Sequence, residues 1–212
     1  MNNEKYRRLT SWLIAAWFVF ALSAAALHLF QTPPTAPPLA LGLAVVTPIL
    51  IFLAWYRVSP RFRAFVLALD PRALTMIHSW RVAGFVFLTL YTYRILPGVF
   101  ALPAGWGDIA IGATAALVAK KLADREHRTA FIFWQGLGML DLVTAIAMAS
   151  MARILSPNGV STAPMTVLPL SLIPTFAVPL LFILHIICIA QARLWHEPMR
   201  APGREPLPGS AA

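Results

Sequence analysis

Six apolar stretches, each close to the length of a membrane-spanning helix, constrain the fold of this chain more than any other feature. A spanning helix needs roughly 17–25 mostly apolar residues to cross a hydrocarbon core about 30 Å thick. The sequence therefore predicts an all-α integral membrane protein, built as a bundle of six transmembrane helices. The predicted spans are residues 12–30, 39–56, 74–96, 104–119, 129–151 and 165–191.

The composition excludes the soluble classes of protein. Hydrophobic residues make up 59% of the 212 residues and charged residues only 12%, whereas a soluble domain is roughly 45–50% apolar and about 25% charged. A soluble enzyme, a disordered chain and a coiled coil are therefore excluded. The single cysteine, Cys188, excludes a disulfide framework and a cysteine-rich metal site.

The first span follows a basic segment, which is a pattern that signal peptides share. Lys5, Arg7 and Arg8 precede the apolar stretch, and Ala24 and Ala26 resemble a cleavage site. The apolar stretch, however, exceeds the roughly 7–15 residues that are typical of a signal peptide. We therefore predict that this helix is retained.

The basic residues predict the orientation of the bundle, because short cytoplasmic loops carry an excess of lysine and arginine. Fourteen of the 17 basic residues lie in alternate loops: Lys5, Arg7, Arg8, Arg57, Arg61, Arg63, Arg72, Lys120, Lys121, Arg125, Arg128, Arg193, Arg200 and Arg204. Both termini, residues 1–11 and 192–212, are thus predicted to be cytoplasmic, and the Pro- and Gly-rich tail is predicted to be disordered. These basic loops face anionic lipid head groups, which makes nucleic acid an unfavoured partner.

The loop after the second span, residues 57–72, has an amphipathic pattern. Phe62, Phe65 and Val66 lie on one side, between basic residues. This pattern predicts a short cytoplasmic amphipathic segment at the membrane interface. A basic loop with no role in membrane binding is the alternative.

Charged residues inside the predicted spans are the candidate functional groups. Arg81, Asp108 and Asp141 lie well within apolar segments, where each unpaired charge costs about 2.5–3.5 kcal/mol. They must therefore be paired, hydrated or protonated. From their estimated depths we predict two pairs, Asp141 with Arg81 and Asp108 with Arg94. The pairs indicate either an ion pathway or structural ties between helices.

Two histidines, His78 and His185, lie at similar depth on different predicted helices. Facing imidazoles at one depth could bind the iron of a b-type haem. The alternative is that both histidines pack inside the bundle without a cofactor. We therefore predict that the protein binds no cofactor, with haem b as the alternative.

The sequence Gly105-Trp106-Gly107-Asp108 is similar to the G-x-G-D motif of intramembrane aspartyl proteases. The resemblance implies a catalytic pair of carboxylates sharing a proton, with Asp141 as the second member. In that family, however, the G-x-G-D aspartate follows its partner along the chain, whereas here it comes first. The family's Pro-Ala-Leu motif is also absent from this sequence.

A longer resemblance covers about residues 75–190. The sequence Leu-Pro-Gly-Val-Phe-Ala-Leu-Pro-Ala-Gly-Trp-Gly-Asp, residues 96–108, resembles a segment that recurs in uncharacterised bacterial inner-membrane proteins. Residues 138–142 and 173–176 resemble later parts of the same proteins. The resemblance implies a bacterial cytoplasmic membrane and no particular chemistry.

These observations favour a small transporter or channel-like protein with an intramembrane polar site formed by Arg81, Asp108, Asp141 and Arg94. An enzyme is less favoured than a protein without catalytic activity. The alternatives are a non-catalytic membrane subunit or scaffold, a b-type haem protein and an intramembrane aspartyl protease. The predicted partners are membrane lipids with anionic head groups, together with a second copy of the chain or another protein.

Overall fold

A computed structural model describes residues 3–32, 38–155 and 159–195, and within these ranges the chain is helical with no strand. Six helices in this part of the chain are long and apolar enough to cross a membrane, which confirms the predicted six-helix bundle. The α-helices are α1 (Asn3–Ala26), α2 (Leu39–Val58), α3 (Pro60–Leu67), α4 (Pro71–Ile77), α5 (Phe85–Thr92), α6 (Gly98–Lys121), α7 (Arg128–Leu155) and α8 (Val178–Arg193).

The third span is continuous but not uniformly α-helical. A 3₁₀ helix, His78–Gly84, joins α4 to α5. A 3₁₀ helix rises about 2.0 Å per residue, compared with 1.5 Å in an α-helix, so this segment is longer and thinner than an α-helical one. It packs closely on α6, where a Cβ added to Gly112 would lie 2.8 Å from the carbonyl carbon of Arg81.

The ends of two spans differ from the sequence-based expectation because of proline. The helix α6 begins at Gly98, directly after Pro97, and includes Pro103 in its second turn. The sixth span begins at Ile173 with a π-helical turn and continues as α8. Residues 168–171 form turns before it, because Pro169 cannot donate a helical hydrogen bond.

The predicted amphipathic segment is the short helix α3. Its first turn is capped by Ser59, whose side chain accepts a hydrogen bond from the Phe62 backbone N–H at 3.2 Å. The apolar side is buried against the protein, because Phe62 stacks on Trp55 with 3.8 Å between ring centroids. Arg61 and Arg63 are exposed on the other side.

One end of the bundle is held together by side chains that bind free backbone carbonyls. Gln191, near the end of α8, donates to the carbonyl of Leu69 at 2.7 Å. Arg128, at the start of α7, donates to the carbonyl of Ala192 at 2.9 Å. These contacts place α3, the start of α7 and the end of α8 together. The predicted disorder of the tail from residue 196 onward falls outside the described residues.

Candidate functional site

The guanidinium of Arg81 is the centre of a polar cluster inside the bundle. Its Nε donates to Asp108 Oδ1 at 2.6 Å, and its Nη2 donates to Asp141 Oδ2. The remaining nitrogen, Nη1, donates to the carbonyl of Gly138 and to His185 Nε2, both at 3.3 Å. Arg81 is only 3% exposed, so its charge is balanced by protein groups and not by solvent.

Glycines make this cluster possible by giving the side chains room. Three of them lie where a Cβ would collide with a member of the cluster. Small residues allow membrane helices to approach closely, and here the approach brings the 3₁₀ segment, α6, α7 and α8 together. The three are Gly84, which faces Asp108, Gly107, which faces the Asp141 carboxylate, and Gly138, which faces the His185 ring.

The predicted pair of Asp108 with Arg94 is wrong. Arg94 is exposed, lies beyond the end of α5, and has a left-handed backbone conformation with φ 56°. Asp108 instead shares Arg81 with Asp141. The reason is the close packing of the 3₁₀ segment on α6, which brings the long Arg81 side chain to Asp108 while the chain turns away at Arg94.

A chain of neutral groups extends from the cluster. A guanidinium has only donors, so His185 Nε2 accepts from Arg81 and the ring proton is on Nδ1. That Nδ1 donates to Gln135 Oε1 at 2.5 Å, and Gln135 Nε2 donates to Thr75 Oγ1 at 3.2 Å. Thr75 then donates to the carbonyl of Pro71 at 2.7 Å. Because Arg81 can only donate, it sets the direction of each of these hydrogen bonds, from His185 to Pro71.

Gln135 and Thr75 belong to the site although the sequence interpretation did not include them. Gln135 is fully buried on α7, three residues before Gly138 and six before Asp141. Residues three apart are neighbours on a helix surface, so Gln135 adjoins Gly138 and Gly138 adjoins Asp141. The position of Gln135 at three-residue spacing from Gly138 and Asp141 was therefore the feature of the sequence that could have identified it as part of the site.

The two histidines are stacked on each other. The ring centroids of His78 and His185 are 3.8 Å apart with an interplanar angle of 21°, and Trp134 packs beside both rings. Two axial haem ligands bind from opposite faces of the macrocycle, which would have to lie between the rings. Stacked rings in direct contact leave no room for it, so this arrangement does not fit the predicted haem site.

His78 is the group in this cluster that lacks a polar contact. It is fully buried, and within the described residues neither of its ring nitrogens has a hydrogen-bond partner. Leaving a buried polar group unsatisfied costs about 1–3 kcal/mol. Packing alone therefore does not account for a histidine at this position.

The geometry also argues against the aspartyl protease alternative. A catalytic pair of carboxylates shares one proton because the two charges repel each other. Here Arg81 bridges Asp108 and Asp141, so each carboxylate contacts the guanidinium and the two do not form a directly hydrogen-bonded acid pair. The glycines of the motif have packing roles, since a Cβ on Gly105 would lie 2.6 Å from a methyl carbon of Leu88.

The Arg81 guanidinium carries one positive charge and contacts two acids. It can balance only one ionised carboxylate, so the cluster is neutral only when a proton or another cation accompanies the second acid. The Arg81 side chain is 1% exposed, whereas the side chains of Asp108 and Asp141 are 19% and 14% exposed. The carboxylates thus form the more exposed side of the cluster. No group of three or more His, Cys, Asp or Glu side chains in the described ranges is arranged to hold a metal ion.

Comparison with known proteins identifies a family and no activity. No curated protein and no solved structure matches the chain. One family model matches residues 38–193, a region that includes α2 to α8 and every residue of the polar cluster. Since the match covers most of the chain, the protein belongs to the family described as Domain of unknown function (DUF8737).

Proposed function

We propose that this multi-pass membrane protein is a small transporter or channel-like protein in which Asp108 and Asp141 bind the transported or coupling cation. The observation that carries the proposal is the sharing of one buried guanidinium by two carboxylates. A tie in which the charges balance needs only one acid for each base. The second acid leaves an uncompensated negative charge, which is costly in a bilayer unless a cation or proton neutralises it.

Two further observations support a functional cluster. The carboxylates are more exposed than the guanidinium that they contact, so they form the outer side of the cluster and Arg81 the inner side. His78 stacks on His185, which itself accepts from Arg81, and neither His78 nitrogen has a partner among the described residues. The cluster therefore contains a buried polar group whose hydrogen bonds the described residues do not supply.

The proposed setting is the bacterial cytoplasmic membrane, with both termini in the cytoplasm. The support is the clustering of basic residues at the end of the bundle where Arg128 contacts α8 and α3 contacts Gln191. The resemblance of residues 96–108 to bacterial inner-membrane proteins supports the choice of membrane.

The transport proposal is tested by ion flux into liposomes that contain the purified protein. Proton, sodium and potassium gradients are imposed one at a time, and flux is compared with that of protein-free liposomes. We expect one of these cations to pass through the wild-type protein and the Asp141→Asn variant to lower that flux at least tenfold. Flux equal in the two proteins, or equal to that of protein-free liposomes, would contradict the proposal.

Asp124→Asn is the matched control. Asp124 lies in the exposed loop between α6 and α7, where the His127 backbone N–H donates to its carboxylate at 2.9 Å. That hydrogen bond lowers the pKa of the Asp124 carboxyl, so the control makes the same Asp→Asn change at an ionised carboxylate outside the polar cluster. We expect flux through the control to equal that of the wild type.

A non-catalytic subunit or scaffold is the second candidate. Its support is that every nitrogen of the Arg81 guanidinium has a partner, as a structural tie requires. On this reading, Asp141→Asn changes stability without affecting any flux, so the same liposome experiment separates the two candidates.

A further inference from the structure

A large apolar cavity lies between α1, α2 and α8, apart from the polar cluster. Its volume is about 990 Å³, at the upper end of the roughly 300–1,000 Å³ that is typical of small-molecule sites. Each of the three helices turns one stripe of apolar side chains toward it. Representative lining residues are Leu13, Trp17, Ala44, Ile51, Ile183 and Ile187.

The helix α1 forms the outer wall of this cavity and touches the rest of the bundle at separate places. At one end Tyr6 stacks on Phe65 with 5.6 Å between ring centroids. In the middle, Trp17 Nε1 donates to the carbonyl of Thr175 at 3.2 Å. At the other end Phe30 packs against the start of α2. Between these contacts the helices stand apart, and the cavity fills the separation.

The cavity extends through most of the thickness of a bilayer. Its lining begins at Arg7 on α1 and reaches Phe30 beyond the end of that helix. The helical part of this distance, from Arg7 to Ala26, is about 28 Å at 1.5 Å per residue, close to the hydrocarbon thickness of about 30 Å. An apolar cavity does not favour water, so hydrocarbon chains are the chemistry that matches its walls.

One end of the cavity is strongly basic. Arg7 is the only charged residue among the lining residues of the cavity. The Tyr6–Phe65 contact places the start of α1 beside α3, so exposed basic side chains from three helices gather there. They are Lys5, Arg7, Arg8, Arg57, Arg61 and Arg63, and the acidic residues at this end are Glu4 and Asp70. Such a cluster attracts the phosphate of an anionic lipid.

We propose that this cavity binds one anionic phospholipid, with its phosphate at Arg7 and its acyl chains between α1, α2 and α8. The arginine would donate charge-assisted hydrogen bonds to the phosphate, and the apolar stripes would contact the chains. The lipid then supplies the packing between α1 and α2 that side chains do not provide. This proposal is independent of cation transport by the polar cluster.

The proposal is tested by native mass spectrometry of the full-length protein in mild detergent. Delipidated protein is titrated with phosphatidylglycerol or with phosphatidylcholine of identical acyl chains. We expect one phosphatidylglycerol to be retained per chain, at least tenfold more tightly than phosphatidylcholine. Equal retention of the two lipids by the wild-type protein would overturn the proposal.

Matched variants locate the acyl chains. Ala16→Trp with Thr47→Trp introduces two large side chains among the lining residues. Ala15→Trp with Val46→Trp makes the same changes one position earlier, at exposed residues outside the lining. We expect the first pair to weaken phosphatidylglycerol binding at least tenfold and the second pair to leave it unchanged. Equal binding by both double variants would overturn the assigned site.

A second matched pair tests the head group without changing the interior. Arg7 lines the cavity, whereas the adjacent Arg8 does not, and both are exposed. We expect Arg7→Gln to remove most of the preference for phosphatidylglycerol and Arg8→Gln to retain it. If both variants keep the wild-type preference, the phosphate does not bind at Arg7 and the proposal is wrong.

Discussion

The two halves of the bundle are held together by different forces. From α4 to α8, glycines let the helices approach closely, and hydrogen bonds run from Arg81 to both aspartates and onward to Pro71. Between α1 and α2 there is instead a cavity of about 990 Å³ lined by apolar side chains. Directional contacts therefore determine the arrangement of one half, whereas α1 is held by a few separate, mostly aromatic contacts.

The family match separates α1 from the rest of the bundle. Residues 38–193 include α2 and the polar half, α4 to α8, but not α1. If the polar half is the stable unit, changes within it should have large effects, while changes at the contacts of α1 should have small ones. The following predictions test this contrast by measuring the free energy of unfolding in mixed detergent micelles.

The largest effect is expected from Arg81→Met. This change leaves two carboxylates without their cation in a buried position, and breaking a buried ion pair typically costs about 3–5 kcal/mol. We expect a loss of this size, with lower yield of folded protein. Adding Asp108→Asn and Asp141→Asn should recover most of the stability, because the uncompensated charges are then gone. Wild-type stability in Arg81→Met would contradict the assigned cluster.

The next largest effect is expected from Gly138→Ala. The new Cβ would collide with the His185 ring, and overpacking of a close contact costs about 1–3 kcal/mol. Gly136→Ala, on the same helix, is the control, since no atom lies within 4 Å of its added Cβ. We expect the control to be neutral or slightly stabilising, because alanine has the higher helix propensity. Equal losses in the two variants would show that α7 does not pack as described.

A smaller effect is expected at α1. Tyr6→Leu removes the stacking of Tyr6 on Phe65, which is worth about 0.5–1.5 kcal/mol for an aromatic pair. We expect a loss in this range, together with faster hydrogen exchange in the first turns of α1 and unchanged exchange in α7. Faster exchange throughout the bundle would mean that α1 is as tightly coupled as the polar half.

The smallest effect is expected from Arg94→Gln. Arg94 is exposed beyond the end of α5, and surface substitutions usually change stability by less than about 0.5 kcal/mol. A loss comparable with that of Arg81→Met would restore Arg94 as the partner of Asp108.

The number and class of the helices could be predicted because apolar runs of spanning length are a local property of sequence. The aspartates could be identified as buried for the same reason. The partner of Asp108 could not, because it depends on a 3₁₀ segment and on the close approach that Gly112 permits. The estimated depth in the membrane placed Arg94 close to Asp108. The chain turns at Arg94, however, where the backbone has a left-handed φ.

The histidines show a second limit of sequence reasoning. Equal depth left open whether His78 and His185 face each other, and it could not give the orientation of their rings. The stacking depends on Trp134 and on the room left by Gly138. The cavity beside α1 was also beyond prediction, because a separation between helices depends on tertiary contacts at distant positions.

The most direct test of the account is a pair of double-mutant cycles on the free energy of unfolding. One cycle combines Arg81→Met with Asp108→Asn, and the other combines Arg94→Gln with Asp108→Asn. Residues in direct contact typically show coupling of about 0.5–3 kcal/mol, whereas distant residues add independently. We predict coupling in that range for Arg81 with Asp108 and none for Arg94 with Asp108. Coupling in the second cycle, with none in the first, would contradict the shared guanidinium.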